Sequence, residues 1–440
     1  MRGRHTLARY TLWLMAASAA VILLSCDAWN GGEVAFAPVP AAPWIGVEQF
    51  GTAAADSDQK VAVDSSGSVY VASMDNQAVV VRKFTSGGSL SWISTIGPGT
   101  GVLVRSIAVS PTAVYVSGDT SVVLDNTGLG MGGAIDGFVV KYSPTGVRTG
   151  VLQIRESVGA TAPSDVAVDP FDHVYVGGYI DSVQVFVAKY DWSGVSPSQS
   201  WITQYATLAP GITSSVFRIA LGNGLLHVTG PAGAPPTFGF YINRFSTSTG
   251  VQSGATILGN FSGGNDSVFA VAADALNNTY VAGGTDNNFG GVNAGVGDVI
   301  AAKYDAAGAN VWRYQIGSAR NETANSIVLT GSSVCVAGTT GGQFGGQLNK
   351  DTGLSTSDAF LIKLPNSSAG PTVTAEWVRM YGSTNGASVS FNDQASGVAA
   401  DSSGNVFVVG NAVGFMESAT QILGNGDGYV LKVSPTGVLQ

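Results

Sequence analysis

The residues best suited to chemistry recur at fixed places in this chain. Asp56, Asp266, Glu322 and Asp393 each stand five residues before an aliphatic residue, respectively Val61, Val271, Ile327 and Val398, that opens a short β-branched run. A second acidic set, Asp136, Asp298, Asp358 and Asp427, opens later runs such as "DVIAAKY" and "DGYVLKV". Carboxylates gathered on one side of a fold could take a cation or a cationic ligand. The Asp- and Asn-rich segments at Asp298, Asp358 and Asp427 make Ca2+ the candidate ion, because calcium takes oxygen ligands. No run matches a defined calcium loop. The alternative is that these side chains accept N–H groups of their own loops. Phe289, Phe344, Phe391 and Phe415 lie in the same segments among Gly and Asn. Rings beside amides suit a glycan or peptide surface, or else they plug the loops onto the body of the protein. The candidate ligand-binding set is Asp266, Glu322, Asp393, Asp56, Phe289 and Phe344.

A cation holds one equivalent place along the chain, at Lys83, Lys141, Lys189, Arg244, Lys303, Lys363 and Lys432. Such a ring could grip an anion; the structural alternative pairs it with Asp64, Asp169, Asp274 and Asp401. Catalytic signatures are missing. His173 and His227 stand in no metal-ligand spacing. "GNGLL" and "GGVNAGVG" lack the strand–turn–helix context of a phosphate loop, and no G-x-S-x-G elbow occurs. No catalytic residue and no definite cofactor is assigned.

What positions these residues is a repeat. "VAVDSSGSVYVAS" from Val61 returns from Ile107, Val166, Ile219, Val271, Ile327 and Val398, which makes seven copies. Each copy is followed by a second pattern ("VFVAKY", "DAFLIKL") and often by a third carrying Trp, at Trp92, Trp201, Trp312 and Trp377. Each unit therefore reads as four short strands bounded by Gly, Asn, Asp and Ser. The runs are apolar without clean alternation, as in strands covered on both faces. Four-stranded units of about 45–70 residues suggest propeller blades. The expected fold class is all-β, a seven-bladed β-propeller of four-stranded blades.

The last unit lacks its fourth strand, and "PWIGVEQFGT" from Pro43 to Thr52 has the form of one. Aligning "EQFGT" on "YQIGS" puts Gly46 at the Trp position, with Trp44 two residues earlier. Closure by this strand would remove a free sheet edge. Strand order then places the tight turns on one face. The long connections, residues 119–136, 285–298, 340–358, 382–393 and 411–427, fall on the other, where binding function usually resides.

The units resemble the bacterial seven-bladed β-propeller (SBBP-type) repeat, which reads roughly "VAVDSSGNVYVTG…DAFVAKYDASG…W…LG". The resemblance spans Trp44 to Gln440 and is strongest in units one, five and seven. Unit one alone also looks like an NHL repeat. The resemblance implies a fold far more than an activity.

The address is written at the N-terminus. Arg2, Arg4 and Arg9 precede the apolar run "YTLWLMAASAAVILL" and then "LLSC". That order is a signal peptide, and "LLSC" resembles the bacterial lipobox, which implies an acylated Cys26. The expected organisation is a lipoprotein signal over 1–25, lipidated Cys26 and a flexible tether over 26–42, and the propeller over 43–440. The tether could reach roughly 55 Å. An Asp at position 27 implies inner-membrane retention facing the periplasm where the enterobacterial sorting rule applies. Cleavage would remove three arginines and no acid, taking the formal charge from −9 to −12. An acidic protein is a poor partner for nucleic acid. With Cys26 acylated, Cys335 has no disulfide partner and reads as a packed strand residue. The expected function is a monomeric, membrane-tethered scaffold for an envelope protein or a glycan or peptide ligand. The alternative is a propeller enzyme, a lyase, glycosidase or quinoprotein, with a site near the axis. "AAGANVW" (Ala306–Trp312) is similar to the Trp-docking motif of the quinoproteins.

Overall fold

The repeated runs are strands, and each unit forms its own four-stranded antiparallel sheet, giving seven blades in a ring. The structure is a computed structural model. It describes Trp44 and residues 46–440, apart from 53, 55, 98–100, 125–134, 156–159, 181–183, 195, 207–217, 235–236, 260–263, 344, 348–355, 368–369, 384–391 and 418–425. The leader, Cys26 and the tether, and also Phe344 and Phe391, lie outside the described residues. The first strands are Asp56–Val63, Val102–Val109, Thr161–Val168, Arg218–Leu221, Asp266–Ala273, Glu322–Thr330 and Gln394–Ala400. They touch one another in that order, and the last returns to the first, so together they line the axis. Second strands such as Val69–Asp75 and Val114–Thr120 are buried along their whole length, which explains their unbroken apolar pattern. Outer strands such as Leu90–Ile96 are largely exposed.

Blade seven takes Val47–Phe50 as its outer strand, paired with Asp427–Val433. Gln49 faces Tyr429 as Gln315 faces Ile300 in blade five, where Trp312 in turn faces Lys303. By that register Gly46 stands at the Trp position, as the sequence alignment predicts. Trp44 nevertheless reaches the Trp seat. The rings of Trp92, Trp201 and Trp377 lie against Gly146, Gly250 and Gly437, the turn glycines of the following blade; Trp44 lies against the equivalent Gly88 of blade one. These turn glycines have φ between +70° and +89°, so they serve both the turn and the flat face a ring needs. The other three indoles donate to a turn carbonyl, of Pro144, Thr247 and Pro435. The Trp44 indole N–H has no acceptor among the described residues.

A β-bulge interrupts the first strand in six blades, between Ser57/Lys60, Val104/Ser106, Pro163/Asp165, Val268/Ala270, Ala324/Ser326 and Ala395/Gly397. This accounts for the glycine that follows "VYV" in the repeat. A Cβ at Gly118, Gly178, Gly283, Gly338 or Gly410 would run into a carbonyl oxygen of the bulged strand. Gly283→Ala is therefore expected to cost about 3 kcal/mol by overpacking. Gly194→Ala, where a Cβ meets nothing within 4 Å, should lie within about 0.5 kcal/mol of the parent. Equal melting temperatures for the two variants would refute the bulge as the cause.

The Asp of units one, three, five and seven, with the Tyr of units one, three and five, builds the tight-turn face. Asp64 accepts the Ser66 and Ser68 N–H groups and the Tyr70 hydroxyl, and Asp274 does the same for Leu276, Asn278 and Tyr280. Burial works to raise both carboxyls, but these hydrogen bonds win and hold them below the usual range. The cations do not pair with these acids, which corrects the sequence expectation. Lys83, Lys141, Lys189 and Lys303 lie 5.0–5.5 Å over the ring of Tyr70, Tyr115, Tyr175 and Tyr280. Lys83, Lys303 and Lys363 then donate across to the turn carbonyls of Pro144, Asn366 and Pro435 in the next blade. Five of these cations, Lys83, Lys141, Arg244, Lys303 and Lys363, thus tie one blade to the next.

Candidate functional site

The acids of the long-loop face are all buried, Asp56 at 2% exposure, Glu322 at 1%, and Asp266 and Asp393 at 0%. Asp56, Glu322 and Asp393 each join the connection entering their blade to the end of the second strand or the connection after it. Asp56 accepts Thr52 N–H at 2.7 Å from the connection entering its blade and Asn76 N–H at 3.2 Å from the connection after the second strand. Glu322 takes Ser318 N–H at 2.7 Å and the Thr340 hydroxyl at 3.2 Å; Asp393 takes the Ser383 hydroxyl at 2.6 Å and Val413 N–H at 3.1 Å. Asp266 accepts the Thr285 hydroxyl at 2.7 Å. The donors Thr52, Ser318 and Ser383 are the residues that follow Gly in "FGT", "IGS" and "YGS", so those endings are the partners of the acids. Burial pushes the Asp56 and Glu322 carboxyls up, against the hydrogen bonds they accept.

The second acidic set is equally buried. Asp298 accepts Ala294 N–H and the Gln315 side-chain amide at 2.8 Å, and Asp427 accepts the Gln49 amide at 3.0 Å. Asp136 is held by Gln153 in the same way, at 2.9 Å, and Asp358 is fully buried. Among the described residues no three His, Cys, Asp or Glu side chains converge as a metal site. Phe289 is 3% exposed and packs with Phe240 and Tyr304, so its ring faces the core and offers no surface to a ligand. His227 and Cys335 are fully buried in strands. Burial, aided by Arg244, lowers His227 to about 4, and burial pushes the Cys335 thiol up to about 12.

The structure assembles a site that the repeat pattern does not announce. At mid-depth on the axis lies a cavity of about 130 Å3, lined by the first strands of all seven blades. Blades one to four bring Lys60, Arg105, Asp165 and Arg218; blades five to seven bring Ala270, Asn325, Ser326, Ser396 and Gly397. One half of the wall is charged and the other half is small and neutral. Neighbouring strands are stitched across the wall. Ser106 donates to Asp165 at 2.6 Å, and Ile219 N–H donates to Asp165 at 3.0 Å. Asn325 donates to the Ala395 carbonyl at 2.8 Å, and Ser396 donates to the Gln59 carbonyl at 2.8 Å. Arg105 is held by Asp119 through two hydrogen bonds, at 2.5 and 3.3 Å.

The Lys60 ammonium has no hydrogen-bond or ion-pair partner among the described residues. Burial and the positive charges of Arg218 and Arg105 lower it to about 8, while Asp58 and Asp165 work the other way. Burial raises Asp165, opposed by Arg218 and the hydrogen bonds it accepts. These residues escape a search for recurring types because the position before the first-strand aliphatic reads Lys60, Ser106, Asp165, Arg218, Ala270, Ser326 and Gly397. The available signal is that irregularity itself: three charged residues at one position of an otherwise regular repeat.

No family model matches the chain, and no curated protein matches it. Among solved structures, the polysaccharide lyase Uly1 is similar with a TM-score of 0.52 at 10% identity, over 92% of this chain and 94% of that one. The likeness is one of fold. Virginiamycin B lyase from Staphylococcus aureus with quinupristin gives a TM-score of 0.48 at 10% identity, over 87% of this chain and 98% of that one. The Cps50 (Swd1) β-propeller domain of Myceliophteria thermophila gives 0.46 at 9% identity, over 88% and 99%. Identities this low leave activity to be argued from the site itself.

Proposed function

We propose that this chain is an SBBP-type propeller lipoprotein, anchored through Cys26 outside the cytoplasm, whose long-loop face docks an envelope protein or a glycan or peptide ligand. The observation that carries the reading is the clamping of that face. Buried Asp56, Glu322 and Asp393 each tie the connection entering their blade to the end of the second strand or the loop after it, so the described bases of these connections are fixed to the ring. The order of basic lead, apolar run and "LLSC" supports the anchor.

The test compares the parent with Cys26→Ser and with a variant whose residues 286–293 are replaced by a Gly–Ser linker. The parent should incorporate labelled palmitate, sediment with membranes and retain a crosslinked partner. Cys26→Ser should lose label and sedimentation, and the loop variant should lose the partner while keeping both. Equal label in parent and Cys26→Ser would end the anchor. Turnover of a small molecule by the parent, with nothing retained by crosslinking, would transfer the reading to an enzyme.

A further inference from the structure

We propose that the axial cavity is a binding site for a small hydroxylated carboxylic acid, its carboxylate on Lys60 between Arg105 and Arg218 and its hydroxylated body against Asn325, Ser326 and Ser396.

The argument begins with charge. The protein is acidic, with formal net charge −9, yet three cations converge on this one cavity. Arg105 is matched by Asp119, and Arg218 lies in the field of Asp165. That leaves the Lys60 charge over. Asp58 is near enough to act on it, but Asp58 is exposed on the bulge, where solvent screens it, and accepts from Ser57. The ammonium is half-buried, so an anion entering the cavity would pair with it in place of water. One negative charge balances the wall, which selects a monocarboxylate over a dianion.

Shape agrees. The volume, about 130 Å3, limits the ligand to a small molecule. Arg105, with its side chain 42% exposed, connects the cavity to solvent. Opposite the cations the wall is cut back to Ala270, Ser326 and Gly397, leaving room for a body whose hydroxyls meet serine and asparagine. The bulge that precedes Lys60 is the one in which Asp58 takes φ 57°, so the lysine is set by a distorted backbone found in no other blade among the described residues.

The experiment titrates the full-length protein with D-glucuronate, D-glucose and inorganic phosphate, by calorimetry and by melting temperature. Glucuronate should bind and raise the melting temperature; glucose, its uncharged counterpart, should bind at least tenfold more weakly. Phosphate binding as tightly as glucuronate would overturn the carboxylate assignment, and glucose binding equally well would overturn the role of charge. Both comparisons use the parent protein and need no variant to fold. Lys60→Met should lower glucuronate affinity at least tenfold without lowering the melting temperature, and Lys60→Arg should retain binding. The pH dependence has a fixed sign. Lys60 is depressed to about 8, with Arg218, Arg105, Asp58 and Asp165 as the charges that set it. Glucuronate affinity should therefore fall above about pH 8, while stability of the free protein rises as pH climbs from 8 toward the ordinary lysine value. Affinity flat from pH 7 to pH 10 would remove Lys60 from the site. Failure of glucuronate to bind leaves the anchored-platform reading intact, because that reading rests on Cys26 and the outer loops.

Discussion

Deleting Trp44–Gly51 is expected to open blade seven from its outer edge and to loosen the seam between blades seven and one. The strand Val47–Phe50 is the sole partner of the outer side of Asp427–Val433, so its removal leaves that strand an exposed edge. Trp44 supplies the packing. It meets Phe84 of blade one at 6.1 Å and Phe407 of blade seven at 5.6 Å, both edge-on. It is 4% exposed in a cluster with Val69, Val71, Val409 and Val430. Trp44→Ala alone should cost about 3–5 kcal/mol, the usual range for truncating a buried aromatic. Its unpaired indole N–H should bring the value toward the lower end, since burying that donor already has a cost. Hydrogen exchange reads the location. In the deletion variant, protection should fall first across Asp427–Val433, while Asp298–Tyr304 of blade five keeps its protection. Loss spread evenly over all seven blades, or starting in Leu90–Ile96, would contradict closure as the source of stability.

The fold was legible because its determinants repeat. Asp64 and Asp274 cap the same turn, Gly118 and Gly283 oppose the same bulge, and Lys83 and Lys303 make the same tie, so each motif is written several times. Even the count of strands pointed to Val47–Phe50 as the missing piece. The acids Asp56, Glu322 and Asp393 were visible for the same reason, but sequence alone left open whether their oxygens met a ligand or loop N–H groups. That choice depends on Thr52, Ser318 and Ser383 lying within hydrogen-bond reach, which only three-dimensional placement shows. For Phe289 the sequence left a ligand surface and a plug onto the body both open, and the loop carries its ring into the buried cluster with Phe240 and Tyr304. The axial cluster stayed hidden for the opposite reason. Lys60, Arg105, Asp165 and Arg218 come from four blades and no one residue type recurs at one position of the repeat, so repetition, the strongest signal in the chain, carries no information about them.

Asp75→Ala should destabilise the protein by about 3–5 kcal/mol, because it strands a buried guanidinium. Blade one departs from the repeat here, with Ser73 in place of the glycine after "VYV" and Arg82 before Lys83 where other blades have the uncharged Val, Ala, Asn, Ile or Leu. The three polar residues form one unit. Arg82 pairs with Asp75 and donates to the Ser73 hydroxyl at 2.9 Å, while Ser73 donates to Asp75 at 2.5 Å. Arg82 and Asp75 are 7% and 3% exposed, so little solvent screens the pair. The guanidinium also lies 4.6 Å over the ring of Phe50, in the closing strand, which couples this unit to closure of the ring. With Asp75 gone, Arg82 keeps only a hydroxyl and a ring face, and neither cancels its charge. Asp75→Ala combined with Arg82→Met removes both charges and keeps an apolar stem against Phe50. It should recover most of the loss, as neutral replacements of buried pairs commonly do. Equilibrium unfolding of the parent, both single variants and the double variant closes the cycle. Additivity within about 0.5 kcal/mol would mean that the two side chains act separately. A large coupling, together with faster exchange at Phe50 in Asp75→Ala, would place the ion pair in the clasp that joins blade one to blade seven.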